Sequence, residues 1–249
     1  MKKRIIARLD IKKDRLIKGV HLEGLRPIGN PIEYANKYYH QGIDELLLLD
    51  TVASLHGRNA LSSFISELSK KIFIPITVGG GIKSIDTARE LLYSGADKLT
   101  INSHALENPK LISQLADEFG SQAVVASLQI KKINSDYKLM TYNGRELSDK
   151  NLIDWLTEIQ DLGAGEIMLT SIDQEGTCSG FDIKLLSKYR QFINTPLICS
   201  GGIANQMHTS NCFSKGADAV AIAAAFHFEK ISINQIKESL IDNRVKIRL

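Results

Sequence analysis

The stretch GIDELLLLD at residues 42–50 returns as GAGEIMLTS at residues 163–171, about 121 positions further along the chain. Three other stretches repeat at nearly the same offset. ITVGGGI (76–82) returns as LICSGGI (197–203), GADKLTINS (95–103) as GADAVAIAA (216–224), and IIARLDIKK (5–13) as VVASLQIKK (124–132). Each copy joins a short apolar run to small or glycine residues, which is typical of a buried strand and its turn. The sequence therefore predicts two homologous halves.

Eight short apolar runs alternate with amphipathic segments along the chain, which is typical of parallel strands covered on both faces. Eight such units in 249 residues predict an α/β fold, a (β/α)8 TIM barrel made of two half-barrels, as one domain over residues 1–249. A flavodoxin-like or Rossmann sheet would not explain two equivalent halves. The predicted strands are 4–10, 45–50, 74–79, 98–102, 123–129, 166–171, 196–200 and 219–223; the predicted helices include 31–41, 84–94, 108–119 and 150–162, and residues 134–146 predict an inserted hairpin.

Composition excludes several classes of function. A net charge of +3 is too small to indicate a nucleic-acid partner, and no apolar run reaches the roughly 18 residues of a membrane helix. No stretch resembles a signal peptide, and the three cysteines lack a metal or disulfide spacing, so we expect a cytoplasmic protein. The six histidines are scattered, so we expect no metal and no cofactor.

Glycine runs follow the third and seventh predicted strands, at the end of a barrel where active sites lie. Free backbone N–H groups in such loops bind anions. A single run would be explained by a tight turn, but two matching runs favour two phosphate sites. We therefore expect a ligand that carries phosphate at both ends.

The alternation of side chains along the first strand places Arg4, Ile6, Arg8 and Asp10 on one face. The repeat sets Asp10 opposite Gln129 of the fifth strand, which replaces the expected second acid. Two facing acids could act as general acid and general base. Gln129 can orient a substrate but cannot exchange a proton. A solvated acid at a strand end remains the alternative interpretation of Asp10.

Arg8 lies between Arg4 and Asp10 on the predicted inner face. A buried guanidinium needs a carboxylate, so we predict an Arg8–Asp10 contact that lowers the pKa of Asp10. Charges also open four strands at the opposite end of the barrel. Arg4, Glu45, Lys98 and Glu166 there form either a ring of alternating charge or four unrelated ion pairs.

The chain resembles, nearly end to end, the cyclase subunit of imidazole glycerol phosphate synthase (HisF), with the related isomerase (HisA) a distant second. The stretches that carry the resemblance include KRIIARLDIK, PITVGGGIKS, GADKLTINS, GAGEIMLTSID, GTCSGFD and ADAVAIAAAFHF. The resemblance implies a separate glutaminase subunit (HisH-like) at the barrel bottom, which supplies ammonia through the lumen. It implies that this ammonia reacts at the top with a phosphorylated ribulosyl–aminoimidazole substrate.

The resemblance also implies roles for particular residues. It implies an ammonia gate at Arg4, Glu45, Lys98 and Glu166; a glutaminase interface at Asp97 and Gln122; substrate contacts at Lys18, Thr170, Asp173 and Glu175; phosphate contacts at Gly81, Thr100, Asn102, Gly202, Ala223 and Ala224; and catalysis by Asp10 with Gln129 as its degenerate partner.

The departures from the family pattern cluster at the top, where Gln129 replaces an aspartate, Arg8 a small residue and Ala224 a serine. We therefore favour a protein that channels ammonia to a separate sugar amidotransferase of surface-polysaccharide synthesis. The alternatives are a genuine synthase subunit of histidine biosynthesis and a non-catalytic sensor of bisphosphorylated ligands.

Overall fold

A computed structural model describes residues 2–51 and 61–248. Residues 52–60, which include His56, lie outside the described residues. Twelve strands are assigned in the described ranges. They are β1 (Arg4–Lys12), β2 (Arg15–Val20), β3 (Glu23–Gly29), β4 (Glu45–Asp50), β5 (Ile76–Gly79), β6 (Lys98–Ile101), β7 (Val124–Ile133), β8 (Asp136–Thr141), β9 (Glu146–Leu147), β10 (Glu166–Ser171), β11 (Leu197–Ser200) and β12 (Ala219–Ile222).

Eight of these strands close into a barrel. Each pairs in parallel with the next in the order β1, β4, β5, β6, β7, β10, β11, β12, and β12 pairs again with β1. β1 and β7, which begin the two halves, lie four strands apart and therefore face each other across the lumen. The predicted (β/α)8 barrel is confirmed.

The alternation of side chains separates two apolar clusters. Ile5, Ala7 and Leu9 of β1 point outward into the main core between the sheet and its helices. Ile6 points inward and packs with six other buried side chains that fill the middle of the barrel: Leu47, Val125, Met168, Ile198, Ala219 and Ala221. Inward-facing packed side chains are the normal filling of this fold. The predicted inward direction of Ile6 is confirmed, and Val125 of β7 also points inward.

Ten helices surround the barrel in the described ranges. They are α1 (Pro31–His40), α2 (Leu61–Leu68), α3 (Ile85–Tyr93), α4 (Ser103–Glu107), α5 (Lys110–Phe119), α6 (Leu152–Asp161), α7 (Ile183–Tyr189), α8 (Gln206–Ser214), α9 (Ala224–His227) and α10 (Ile233–Asp242). Side-chain caps begin several of them; for example, Asn30 and Ser84 accept backbone N–H bonds in α1 and α3. The predicted helices agree to within two residues. In the described ranges, no helix combines the length and apolarity needed to cross a bilayer.

Two hairpins at the top of the barrel were only partly predicted. β7 itself continues past the barrel and pairs with β8 through a turn at Asn134 and Ser135, both with positive φ. Asn143 and Gly144 form the next turn, between β8 and β9, and this hairpin is the one predicted within residues 134–146. The hairpin β2–β3 extends β1 in the same way and was not predicted, because its alternation is weak.

Candidate functional site

Asp10 ends the inward row of β1 at the barrel mouth and is buried. Its Oδ1 accepts a bond from Nε of Arg8 at 2.8 Å, which confirms the predicted contact. Its Oδ2 accepts a bond from Nζ of Lys18 at 3.0 Å. Lys18 lies on β2 and is buried, so the hairpin folds its ammonium group into the mouth. Asp10 is therefore not a solvated acid at a strand end.

Glu175 completes a cluster of four buried charges with these residues. It lies in the loop after β10 and accepts bonds from Nη1 of Arg8, at 3.1 Å, and from Nζ of Lys18. The same Arg8 nitrogen donates to Oγ of Ser200, the last residue of β11, at 3.0 Å. Arg8 thus crosses the top of the lumen from β1 to β11. We name Arg8, Asp10, Lys18 and Glu175 the mouth cluster.

The mouth cluster fixes the charge state of its members. Burial alone would raise the pKa of the Asp10 carboxyl, but Arg8 and Lys18 outweigh burial and hold this pKa well below its usual range. The same two cations lower the pKa of Glu175 against the effect of its burial. Both carboxyl groups therefore stay ionised at neutral pH and are poor proton donors.

Gln129 lies on β7, across the barrel from Asp10, and lines a cavity of about 80 Å³ together with Arg8 and Ser127. Its Oε1 is buried without a hydrogen-bond partner in the structure. The carboxylate nearest to Asp10 in its hydrogen-bond network is Glu175, and both of its oxygens are bound by cations. The cluster thus offers no free second acid in place of the amide.

The two glycine loops have the same backbone geometry. Gly80 and Gly81 after β5 have φ values of 111° and 67°, and Gly201 and Gly202 after β11 have φ values of 108° and 81°. The residues that precede α4 and α9 match as well, with φ and ψ of −137° and −91° at Asn102 and −121° and −82° at Ala223. Only glycine adopts such positive φ angles without strain. The sequence repeat is therefore also a repeat of loop structure.

The structure groups the expected phosphate residues into two separate places. Gly81, Thr100 and Asn102 line the cavity of about 80 Å³ that also contains Gln129. Oγ1 of Thr100 and Oδ1 of Asn102 are buried there without a partner. Gly202, Ala223 and Ala224 line a second cavity of only about 10 Å³. We call these the first and second cradles.

At the opposite end of the barrel, four charged residues form a closed ring. Arg4 contacts Glu45 at 2.7 Å and Glu166 at 3.2 Å. Lys98 contacts the same two carboxylates, at 3.1 Å in each case. Glu45 also accepts a bond from Oγ1 of Thr77 at 2.7 Å. Each carboxylate bridges both cations, so the residues form one ring and not four unrelated ion pairs.

The remaining residues implied by the resemblance lie apart from one another. Thr170 is buried on β10, close below the mouth. Asp173 accepts the backbone N–H of Lys132 at 2.7 Å, which joins the β10 loop to the β7 extension. Asp97 and Gln122 are exposed before β6 and β7, at the end of the barrel that carries the ring. In the described ranges, no group of three His, Cys, Asp or Glu side chains could hold a metal ion.

Sequence reasoning missed two contacts of the mouth. Ser200, which receives Arg8, could have been found from the inward alternation of β11. The direct Lys18–Asp10 contact depends on the fold of the β2–β3 hairpin, whose alternation is too weak to predict it.

The fold and the site define a class of proteins, the (β/α)8 barrels built from two repeated halves. Each half has a glycine cradle at the mouth, and a ring of charges lies at the opposite end of the barrel. Residues 4–232 match the family described as histidine biosynthesis protein. The chain is 55% identical over 201 residues to imidazole glycerol phosphate synthase subunit HisF of Legionella pneumophila, covering 80% of this chain and 95% of that relative. It is 43% identical over 247 residues to the HisF subunit of Thermotoga sp. (strain RQ2), covering 99% and 98%, and 42% identical over 248 residues to that of Chlorobium phaeobacteroides (strain BS1), covering 99% of both. The chain belongs to the HisF family.

Proposed function

We propose that the protein is the cyclase-type subunit of an imidazole glycerol phosphate synthase, which receives ammonia at the barrel bottom and uses it at the mouth. The names of relatives that align over nearly the whole chain support this function. The observation that carries it is the closed ring of Arg4, Glu45, Lys98 and Glu166 below an apolar lumen. This function was the alternative in the sequence analysis, and the relatives' names favour it over delivery to a sugar amidotransferase.

The apolar side chains of the lumen favour transport of neutral ammonia over that of the ammonium ion. An ion that enters the apolar layer around Ile6, Val125 and Met168 loses its hydration without a compensating partner, which is unfavourable by many kcal/mol. Neutral ammonia loses only hydrogen bonds. The ring of ion pairs has to part before ammonia enters, so the proposed gate is the ring itself.

A glutaminase subunit is the proposed source of the ammonia, docked on the end that carries the ring. Two aromatic side chains are strongly exposed there, Phe73 at 79% and Tyr93 at 85%. Their loops are adjacent, because Ser69 Oγ donates to the carbonyl of Ser94 at 3.4 Å. Exposed aromatic side chains surrounded by polar groups are typical of protein interfaces. Asp97 and Gln122 are polar residues at the same end of the barrel.

The proposed ligand of the mouth is a phosphorylated small molecule. The unpartnered hydroxyl of Thr100, which can donate, and the glycine loop of Gly80 and Gly81, which lines the same cavity, support a phosphate site at the first cradle. Thr170 and Asp173 are proposed to contact the rest of the substrate. Because Asp10 is held ionised, its role in this function is to accept a proton, and Gln129 orients the substrate. The proposal also treats the chain as one domain, and the cytoplasmic location stays a prediction.

A second candidate function follows from the top of the barrel. Asp10 is held ionised by Arg8 and Lys18, and the amide of Gln129 stands where a proton-transfer group is expected. A protein that only conducts ammonia to a separate acceptor, such as a sugar amidotransferase, needs the ring and the docking face but no acid–base pair. This observation favours ammonia channelling without cyclisation.

Turnover with ammonium salts and the synthase substrate separates the two functions, since no glutaminase is then needed. For a synthase subunit we expect measurable turnover by the wild type and about 10²–10⁴-fold more by Gln129→Asp, the usual contribution of one acid–base group. Gln191→Asp makes the same change on the exposed surface and should match the wild type. Wild-type protein without turnover, which still stimulates a glutaminase partner, would contradict the synthase and support channelling.

A further inference from the structure

The two cradles share a backbone but differ in what fills them. Their glycines and the residues that precede α4 and α9 have closely similar torsion angles. The first cradle opens on a cavity of about 80 Å³ that extends to Arg8 and Gln129, whereas the cavity at the second cradle has only about 10 Å³. The side chains that line the two cavities differ.

The first cradle contains buried polar side-chain atoms that have no hydrogen-bond partner within the protein. Thr100 is 3% exposed, and its hydroxyl lacks a hydrogen-bond partner, as does Oδ1 of Asn102. Buried polar atoms without a partner are rare, because each costs about 1–3 kcal/mol. The hydroxyl of Thr100 could donate to a phosphate held by Gly80 and Gly81, whereas Oδ1 of Asn102 only accepts and would need a hydroxyl group of the ligand.

The second cradle is filled by the chain's own carboxylate. Glu175 lines this cavity with Ser200, Gly201 and Gly202. A methyl group built on Gly201 would lie 3.5 Å from Oε2 of Glu175, so the carboxylate leaves room for no more than a methyl group beside Gly201. Glu175 is 2% exposed, and its backbone is tied to the β2–β3 hairpin, where its carbonyl accepts the N–H of His21 at 2.8 Å.

The charges around Glu175 leave no excess positive charge in the mouth cluster that could bind a further anion. The two cations of the mouth cluster, Arg8 and Lys18, are balanced by its two carboxylates, Asp10 and Glu175. An incoming phosphate would meet the Glu175 carboxylate, which leaves only the space of a methyl group beside Gly201. Two like charges so close together repel strongly in a buried site.

We propose that Glu175 occupies the second cradle in the ligand-free protein as an internal substitute for a phosphate group. Free phosphate or a singly phosphorylated ligand binds at the first cradle without moving it. A doubly phosphorylated ligand reaches both cradles only by displacing Glu175 from Gly201. Glu175 is thus a residue that determines specificity for the number of phosphate groups.

This inference rests on the phosphate sites of the proposed function but not on cyclisation. If the bisphosphorylated substrate is turned over, Glu175 has to leave the cradle before the reaction. If the protein only conducts ammonia, Glu175 can stay. Phosphate binding can be measured whether or not the protein has cyclase activity. The role of Glu175 can therefore be refuted while the proposed function stands, and the reverse also holds.

The test is a titration of the full chain, labelled with ¹⁵N and deuterated, with inorganic phosphate. The amide signals of Gly81 and Gly202 report on the first and second cradles. Sodium chloride at equal ionic strength is the reference. In the wild type we expect a saturable shift at Gly81 and none at Gly202. A saturable shift at Gly202 in the wild type, or none at Gly81, would overturn the proposal.

Glu175→Gln removes the charge at nearly constant volume. We expect Gly202 to respond in this variant, with phosphate binding there at least tenfold tighter than in the wild type. Glu158→Gln removes a carboxylate from the outer surface of α6 and should behave as the wild type does. The proposal would be overturned if the Gly202 amide signal of folded Glu175→Gln did not shift with phosphate. It would also be overturned if phosphate binding at Gly202 tightened equally in Glu158→Gln.

The single variant leaves the mouth cluster with an excess cation and can fail to fold. The double variant Arg8→Met, Glu175→Gln removes one charge of each sign and keeps the Lys18–Asp10 pair. The same response of Gly202 is expected in it. Absence of that response in the folded double variant would equally overturn the proposal.

Discussion

Replacement of Arg8 by methionine should destabilise the protein strongly and in a pH-dependent way. Arg8 is 1% exposed and binds both carboxylates of the mouth cluster. Without it, Asp10 and Glu175 share the single positive charge of Lys18. Loss of one partner from a buried ion pair typically costs about 3–5 kcal/mol. At about 2–4 °C per kcal/mol for a chain of this size, the melting temperature should fall by about 6–20 °C at pH 7.

The pH dependence gives the sharper test. In the wild type, the lowered pKa values of Asp10 and Glu175 contribute stability above the unfolded values of about 4, and this contribution is lost at lower pH. In the variant, burial without Arg8 raises the folded-state pKa of the excess carboxyl. The folded variant then binds the extra proton, and its stability falls as the pH rises above about 4. The difference between the two proteins should therefore widen from pH 4 to pH 7.

Urea denaturation of both proteins between pH 4 and pH 7 measures this difference. Arg89→Met is the matched control, since Arg89 also contacts two carboxylates but lies on the surface, with its side chain 36% exposed. Exposed ion pairs contribute little, so this control should unfold nearly as the wild type does at every pH. A difference between Arg8→Met and the wild type that stays constant with pH would refute the assignment of buried, ionised carboxylates.

Three further results are expected. Phe73→Ser with Tyr93→Ser should weaken binding of a glutaminase subunit at least tenfold in a calorimetric titration, with an unchanged melting temperature; unchanged affinity would exclude this face. Cys178, which is partly exposed, should react with a thiol reagent in the native protein, whereas Cys199, whose thiol pKa is raised by burial, should react only after denaturation. Burial lowers the pKa of His227 to about 4, so the stability it contributes is complete above about pH 6.5 and declines towards pH 4; the loss between pH 7 and pH 5 should be smaller in His227→Asn.

The barrel and its inner face were predictable because they follow from periodicity. Alternation along β1 correctly placed Arg4, Ile6, Arg8 and Asp10 inside, and the repeat predicted the matching loops. The need of a buried guanidinium for a carboxylate was enough to predict the Arg8–Asp10 contact.

The composition of the mouth was less accessible from the sequence. Lys18 reaches Asp10 only because the β2–β3 hairpin folds back over the barrel, and Glu175 reaches Arg8 across a separation of 167 residues. Such contacts depend on the tertiary path of loops, which carry no regular period. The same limit explains why the turn at Asn134 and Ser135, which joins the extension of β7 to β8, was not predicted.

The charged ring, the apolar layer and the mouth cluster succeed one another along the barrel axis. On the proposed function, this sequence of layers would select ammonia by its neutral state rather than by its size. A small base that had crossed the ring would lie among the apolar side chains of Ile6, Val125 and Met168. It would keep the neutral form in which it entered, and would therefore reach the mouth cluster as a nucleophile.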